Sequence, residues 1–178
     1  GSIPNSRVVI YGGGPELIHD NAILSEAERG RFAFGVNGTH LARKLDVFLS
    51  AYTSQASAVA IHTDTPVVLQ MRPGNLNLSG TSAWVLPRSN FQGVLEDNFH
   101  GIPFVRTKQN VILGCMHLAL WMGAKDLLFV GVEQNNNLHF YDEKPHLRDA
   151  LYAQLLKIWL GEYVFDHVKD NPFDVATY

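Results

Sequence analysis

The sequence predicts an α/β fold, a single Rossmann-like domain with a mostly parallel sheet and helices on both faces. Three observations carry that expectation. Short β-prone apolar runs alternate with segments of helical periodicity, as in successive βαβ units. Val47 to Tyr52 is apolar almost without a break, which suits a parallel strand covered on both faces, and Val8 to Tyr11 and Leu127 to Val132 are further β-prone runs. The first run breaks into Gly12-Gly13-Gly14-Pro15, and glycine lets backbone N–H groups approach a phosphate with no Cβ in the way.

Each element follows from local signals. Ile18 to Arg29 is expected to be helical, with Ile18, Ala22, Ile23 and Ala27 on its apolar side and Gly30 ending it. Arg31 to Val36 reads as the second strand. It ends at Asn37-Gly38-Thr39, where Thr39 is expected to cap a helix carrying Leu41, Ala42 and Leu45. Val47 to Tyr52 gives a third strand, Gln55 to His62 a short helix and Val67 to Met71 a fourth strand. Prolines and glycines then interrupt the rhythm, and about 72–109 is expected to be a loop-rich insertion with a short strand at Ala83 to Leu86.

Regularity returns where Asn110 can cap a helix through Met122. Val111, Cys115, Leu118, Ala119 and Met122 recur there at helical spacing, and the segment is apolar nearly all round, so burial is expected. After the strand at Leu127 to Val132 the chain turns polar from Glu133. Pro145 then opens a last amphipathic helix from about His146 to Phe165.

Composition limits what such a domain can do. The 178 residues suit one domain, taken as residues 3–178, with Gly1-Ser2 read as an expression remnant. Apolar residues form 46% and charged residues 17%, a globular composition. A net charge of −3 offers no general attraction to nucleic acid or to anionic membranes. The lone Cys115 cannot form an internal disulfide, and no stretch reaches the roughly 18 apolar residues of a membrane span, so a cytoplasmic protein is expected.

In an open parallel sheet, ligands bind beyond the carboxyl ends of strands, where strand order reverses. That rule gathers the loops Gly12 to Pro15, Asn37 to Thr39, Ser50 to Thr53 and Glu133 to His146. Gly12, Gly13, Gly14 and Pro15 offer backbone to a phosphate. Asn37 presents an amide suited to ribose or a base edge, and Ser50 and Tyr52 offer hydroxyls. Asn110 heads a helix and is counted with the same contacts. His139 and His146 are the histidines of the polar loop, and histidine is the usual general base near neutral pH. Glu133 follows a buried strand. With Asp142 it would serve a loosely held Mg²⁺ bridged by substrate phosphates better than a structural metal, because the spacing fits no zinc signature.

Two stretches carry a resemblance. Val9 to Leu17, through Gly12-Gly13-Gly14-Pro15, together with Asn37, resembles the start of the bacterial sialyltransferases of the Campylobacter type. Asn110 to Glu133, including Leu120-Trp121-Met122-Gly123-Ala124-Lys125-Asp126, is similar to the helix, turn and strand that follow in that group and in the archaeal hydroxymethylpterin diphosphokinases. Glu16, Val111 and Glu133 depart from the residues usual there.

The resemblance implies a glycosyltransferase-like enzyme that takes a nucleotide-activated sugar to a hydroxyl acceptor. Gly12, Gly13, Gly14 and Asn37 would touch the nucleotide, Tyr141 would stand near the donor phosphate, and His146 would be the base. Two alternatives stay open: a diphosphokinase-like enzyme using ATP and Mg²⁺, and a degenerate domain that binds a nucleotide or a partner without turnover.

Overall fold

Three consecutive residues, Val8, Val9 and Ile10, are buried on both sides of the first strand, and the rest of the fold is layered around them. The computed structural model describes residues 6–19, 21–71, 83–89, 105–106, 110–132 and 138–159. Its strands are β1 (Arg7–Tyr11), β2 (Phe32–Gly35), β3 (Val47–Ser50), β4 (Val67–Met71), β5 (Ala83–Ser89), β6 (Val105–Arg106) and β7 (Asp126–Val130). Its helices are α1 (Ala22–Glu28), α2 (Thr53–His62), α3 (Val111–Trp121), α4 (Phe140–Glu143) and α5 (Pro145–Trp159), with single 3-10 turns at Pro15–Ile18 and Thr39–Leu41.

Five strands form a parallel sheet in the order β4-β3-β2-β1-β7, and β5 and β6 continue it beyond β4, also in parallel. The chain is α/β as the sequence predicts.

Alternation along β1 explains why both faces need cover. Val8 and Ile10 point to one face, where Val111, Cys115, Leu118 and Ala119 of α3 close over them with Phe34 and Leu49. Val9 and Tyr11 point to the other, toward Ala56 and Val59 of α2, Leu17 and Phe140. Cys115 is wholly buried, and burial raises its thiol far above the usual range, so it stays protonated and acts as a packing residue.

The amino edge of the sheet is stapled by one side chain. Arg31 donates from Nε to the Ala27 carbonyl at 2.7 Å and from Nη1 to the Val8 carbonyl at 3.2 Å. Its Nη2 meets Asp126 Oδ2 at 2.8 Å. These bonds, Arg31's first and then Arg7's, hold the Asp126 carboxyl below its ordinary value.

Several expectations need correction. The first helix begins at Ala22, because Asn21 accepts the Ile23 and Leu24 N–H groups as its cap, and Ile23 is 83% exposed where an apolar contact is expected. Leu24 takes the packing role instead, and Ile18 packs against the core as expected, though from the 3-10 turn before the helix. Thr39 lies inside a single 3-10 turn capped by Gly38, so the expected helix at Leu41 to Leu45 does not form.

Within 72–109 the expected short strand at Ala83 to Leu86 is present as part of β5, which runs on to Ser89, and β6 adds an unexpected further parallel strand. Helix α3 is not buried all round either, for Leu113, Leu120 and Trp121 are exposed on its outer side.

Candidate functional site

Strand order sets the place to look. The chain leaves β1 for β2 on one side, while β7 joins β1 on the other, so the order reverses between β1 and β7. The loops leaving both strands meet at the carboxyl edge, where such sheets bind ligands.

The three glycines have different reasons to be glycine. Gly12 and Gly14 donate their N–H groups to the carbonyls of Val130 and Gly131, both at 2.8 Å, which zips the β1 loop to the end of β7. A Cβ on Gly12 would run into the Gly131 carbonyl oxygen, and one on Gly14 would stand 2.9 Å from it. Both are buried. Gly13 is the partly exposed member, and its neighbours are side chains: a Cβ there would sit 3.2 Å from His139 Nδ1 and 3.8 Å from Asn37 Cβ. Of the expected phosphate cradle, Gly12 and Gly14 therefore hold the loop in shape and Gly13 faces the crevice. Pro15 opens the buried 3-10 turn below and shapes the loop as well.

Asn37 reaches this point because β2 ends in two consecutive left-handed residues, Asn37 at φ 50° and Gly38 at φ 82°. Asparagine tolerates that region better than other side chains, and glycine adopts it at no steric cost. The Gly38 backbone lies under Leu151 of α5, whose methyls would be 3.1 and 3.3 Å from a Cβ there.

His139 arrives through α4. The Phe140 N–H donates to the Gly13 carbonyl at 2.8 Å and the Phe140 ring is fully buried, so α4 is anchored on the glycine loop. Asp142 Oδ2 accepts the His139 backbone N–H at 2.7 Å, which engages this carboxylate in the turn. His19 and Glu143 close the same loop pair from outside at 3.1 Å. Tyr141 packs beside His139 with ring centroids 4.8 Å apart. Burial first, then the Asp142 charge and Tyr152, pushes its hydroxyl up to about 12, so it is a neutral hydrogen-bond donor at ordinary pH.

Four of the other predicted site residues, Ser50, Tyr52, Asn110 and His146, are described. Ser50 Oγ is consumed locally, accepting the Tyr52 N–H and donating to the Tyr52 carbonyl, each at 3.0 Å. Tyr52 is 62% exposed at the head of α2. Asn110 Oδ1 accepts the Ile112 and Leu113 N–H groups, at 3.0 and 3.4 Å, and serves as the α3 cap. His146 is exposed in the first turn of α5. Glu133 lies outside the described residues, and among those described no group of three or more His, Cys, Asp or Glu is gathered to hold a metal ion.

Sequence reasoning missed Gly131 and Leu151. Gly131 at the close of an apolar strand was a visible signal, for its φ of 66° and close approach to Gly12 and Gly14 both demand glycine. Leu151 carried no signal beyond its place in an amphipathic helix. Among the described residues no helix is long and apolar enough to cross a membrane. Comparison with protein-family models, with curated proteins and with solved structures finds no significant match.

Proposed function

We propose that this chain is a Rossmann-like, nucleotide-dependent transferase whose donor is a nucleotide-activated sugar and whose acceptor is a hydroxyl group. The observation that carries the reading is the meeting of Gly13, Asn37 and His139 at the strand-order reversal between β1 and β7. Gly13 lets the donor approach the backbone, Asn37 holds ribose or base, and the Tyr141 hydroxyl donates to the donor phosphate.

His139 is the base. It takes the acceptor's O–H proton while the acceptor oxygen bonds to the anomeric carbon, and the bond from that carbon to the nucleotide phosphate breaks, so the nucleotide leaves with the electron pair. His139 is preferred to His146 because it lies against Gly13, which Asn37 also adjoins, whereas His146 is exposed at the start of α5.

Thermal unfolding against cytidine, uridine, guanosine and adenosine nucleotides, with and without Mg²⁺, tests the reading. A ligand at a hundred times its Kd adds about 2.7 kcal/mol when only the native state binds. Stabilisation by cytidine or uridine nucleotides is the expected result. Stabilisation by ATP only with Mg²⁺ would move the protein to the diphosphokinase class, and no response to any nucleotide would overturn the proposal. With an active donor and acceptor pair, His139→Ala should lower kcat by about 10²–10⁴ and His146→Ala should not.

A further inference from the structure

Asn37 and Gly38 form a left-handed turn that asparagine and glycine both tolerate, so the place of the turn is set by what packs against it. What holds it is α5. Leu151 lies on Gly38, and both Leu151 and Leu155 are buried against Ala58 of α2, with Leu41 and Tyr141 packed around them. One polar contact fastens α5 to the turn that follows Asn37. His40 Nε2 lies 2.9 Å from Gln154 Oε1, and the His40 ring stands edge-on to Phe48 with centroids 5.8 Å apart.

Protonation sets two effects against each other here: the Nε2–H bond to Gln154 favours the charged ring, whereas burial of the ring, the larger effect, disfavours it. With Nε2–H donating to the Gln154 amide oxygen, the lone pair of the neutral ring is on Nδ1, which is buried and has no hydrogen-bond partner. A second proton would have to go there, in a low-dielectric pocket with no acceptor for the new N–H. On the neighbouring elements, α5 presents Gln154, β3 presents the Phe48 ring and α2 presents His62, whose charge would oppose another. On its own segment, Arg43 is turned to the Ala42 carbonyl and to Glu28, and Lys44 is exposed. On the first turns of α5, Arg148 and Asp149 lie 3.9 Å from each other.

We infer that His40 and Gln154 are positioning residues for Asn37, forming a clamp that seats α5 on the Asn37–Gly38 turn and opens when His40 takes up a proton. The ligand consequence rests on the proposed role of Asn37, and the clamp itself does not. Acidification would therefore loosen the turn first and weaken nucleotide retention through it.

The test follows both. In ligand-free protein, the backbone amide resonances of Asn37 and Gly38 should move with the same midpoint as the His40 ring protons. Gln154→Glu gives the imidazolium a carboxylate partner, so the His40 midpoint should rise and the two amides should stay near their neutral-pH positions. His40→Gln should remove the pH response. Amides that stay still while His40 titrates would overturn the clamp, as would amides that move equally in His40→Gln. Affinity for cytidine 5′-monophosphate, measured at about pH 7.5 and 5.5, should fall roughly tenfold in the parent and hold in Gln154→Glu. If that nucleotide binds at neither pH while the amides follow His40, the clamp stands and the donor assignment falls.

Discussion

At the residue scale, one glycine loop contains two kinds of position that are indistinguishable in the sequence. Gly12 abuts a carbonyl of another strand's loop, which cannot move without breaking the zip to β7, whereas Gly13 abuts a histidine ring that can turn aside. Gly12→Ala should accordingly cost about 1–3 kcal/mol of stability, as overpacking against fixed structure does, visible as a lower unfolding midpoint. Gly13→Ala should leave that midpoint near the parent's while displacing His139 and weakening nucleotide binding. Equal losses of stability in the two variants would mean that Gly13 is only a turn residue. Asn37 permits a cleaner test than alanine replacement, because glycine accepts φ 50° and alanine does not. Asn37→Gly should keep the fold and lower nucleotide affinity by about 1–3 kcal/mol through the polar partner left unsatisfied. An affinity within error of the parent would remove Asn37 from the site.

At the scale of elements, legibility followed the source of each element's stability. β1, β3 and β4 centre on buried apolar runs, Val8 to Ile10, Val47 to Leu49 and Val67 to Leu69, and α3 pairs an asparagine cap with a buried stripe, so propensity and packing agree and each was readable close to its true bounds. α1 and the turn at Thr39–Leu41 were misread because tertiary contacts decide them. Leu24 rather than Ile23 meets the core, and Thr39 is fully buried against Gly35. β5 was readable over Ala83 to Leu86, whereas the two-residue β6 was not, because its membership of the sheet depends on pairing with β5, which no local pattern announces. The loops of the site were legible from strand ends alone, but which histidine meets Gly13 depends on Phe140 anchoring α4, a non-local contact. Asn110 shows how a polar residue at a strand–helix junction can be misassigned. Its amide oxygen is given to the helix, so Asn110→Ala should cost about 1 kcal/mol of stability, Asn110→Asp should restore most of it, and nucleotide affinity should not change in either. A loss of affinity without a loss of stability would return Asn110 to the binding site.

Across the whole molecule, the carboxyl edge of the sheet carries the site and the amino edge carries its charged staple, so acid reaches the two ends in separate steps. His40 at the turn beyond β2 has its basicity lowered from 6.5 by burial, against the Gln154 hydrogen bond that favours the charged ring and with a smaller push downward from His62. Below that value the unfolded chain binds a proton that the folded chain resists, so stability is full above 6.5 and falls as pH drops from there to the folded-state value. Asp126 is lowered from 3.8 by Arg31 and Arg7, so its contribution is present above 3.8 and lost as pH falls below it. Tyr11, hydrogen-bonded to Glu28 at 3.1 Å, and Tyr141 are raised by burial from 10.0, and their contributions decline once pH climbs past that point. Urea unfolding across this range should therefore give a plateau between 6.5 and 10.0 with two acid steps, the first absent in His40→Gln and the second unchanged there. Deuterium exchange at the first step should quicken at Gly38 and along α5 before it quickens in β1, since the His40 contact holds α5 and the buried strand does not depend on it. A single acid step shared by α5 and β1 would show that the carboxyl edge unfolds only with the whole sheet, and that α5 is as firmly built in as the strands it covers.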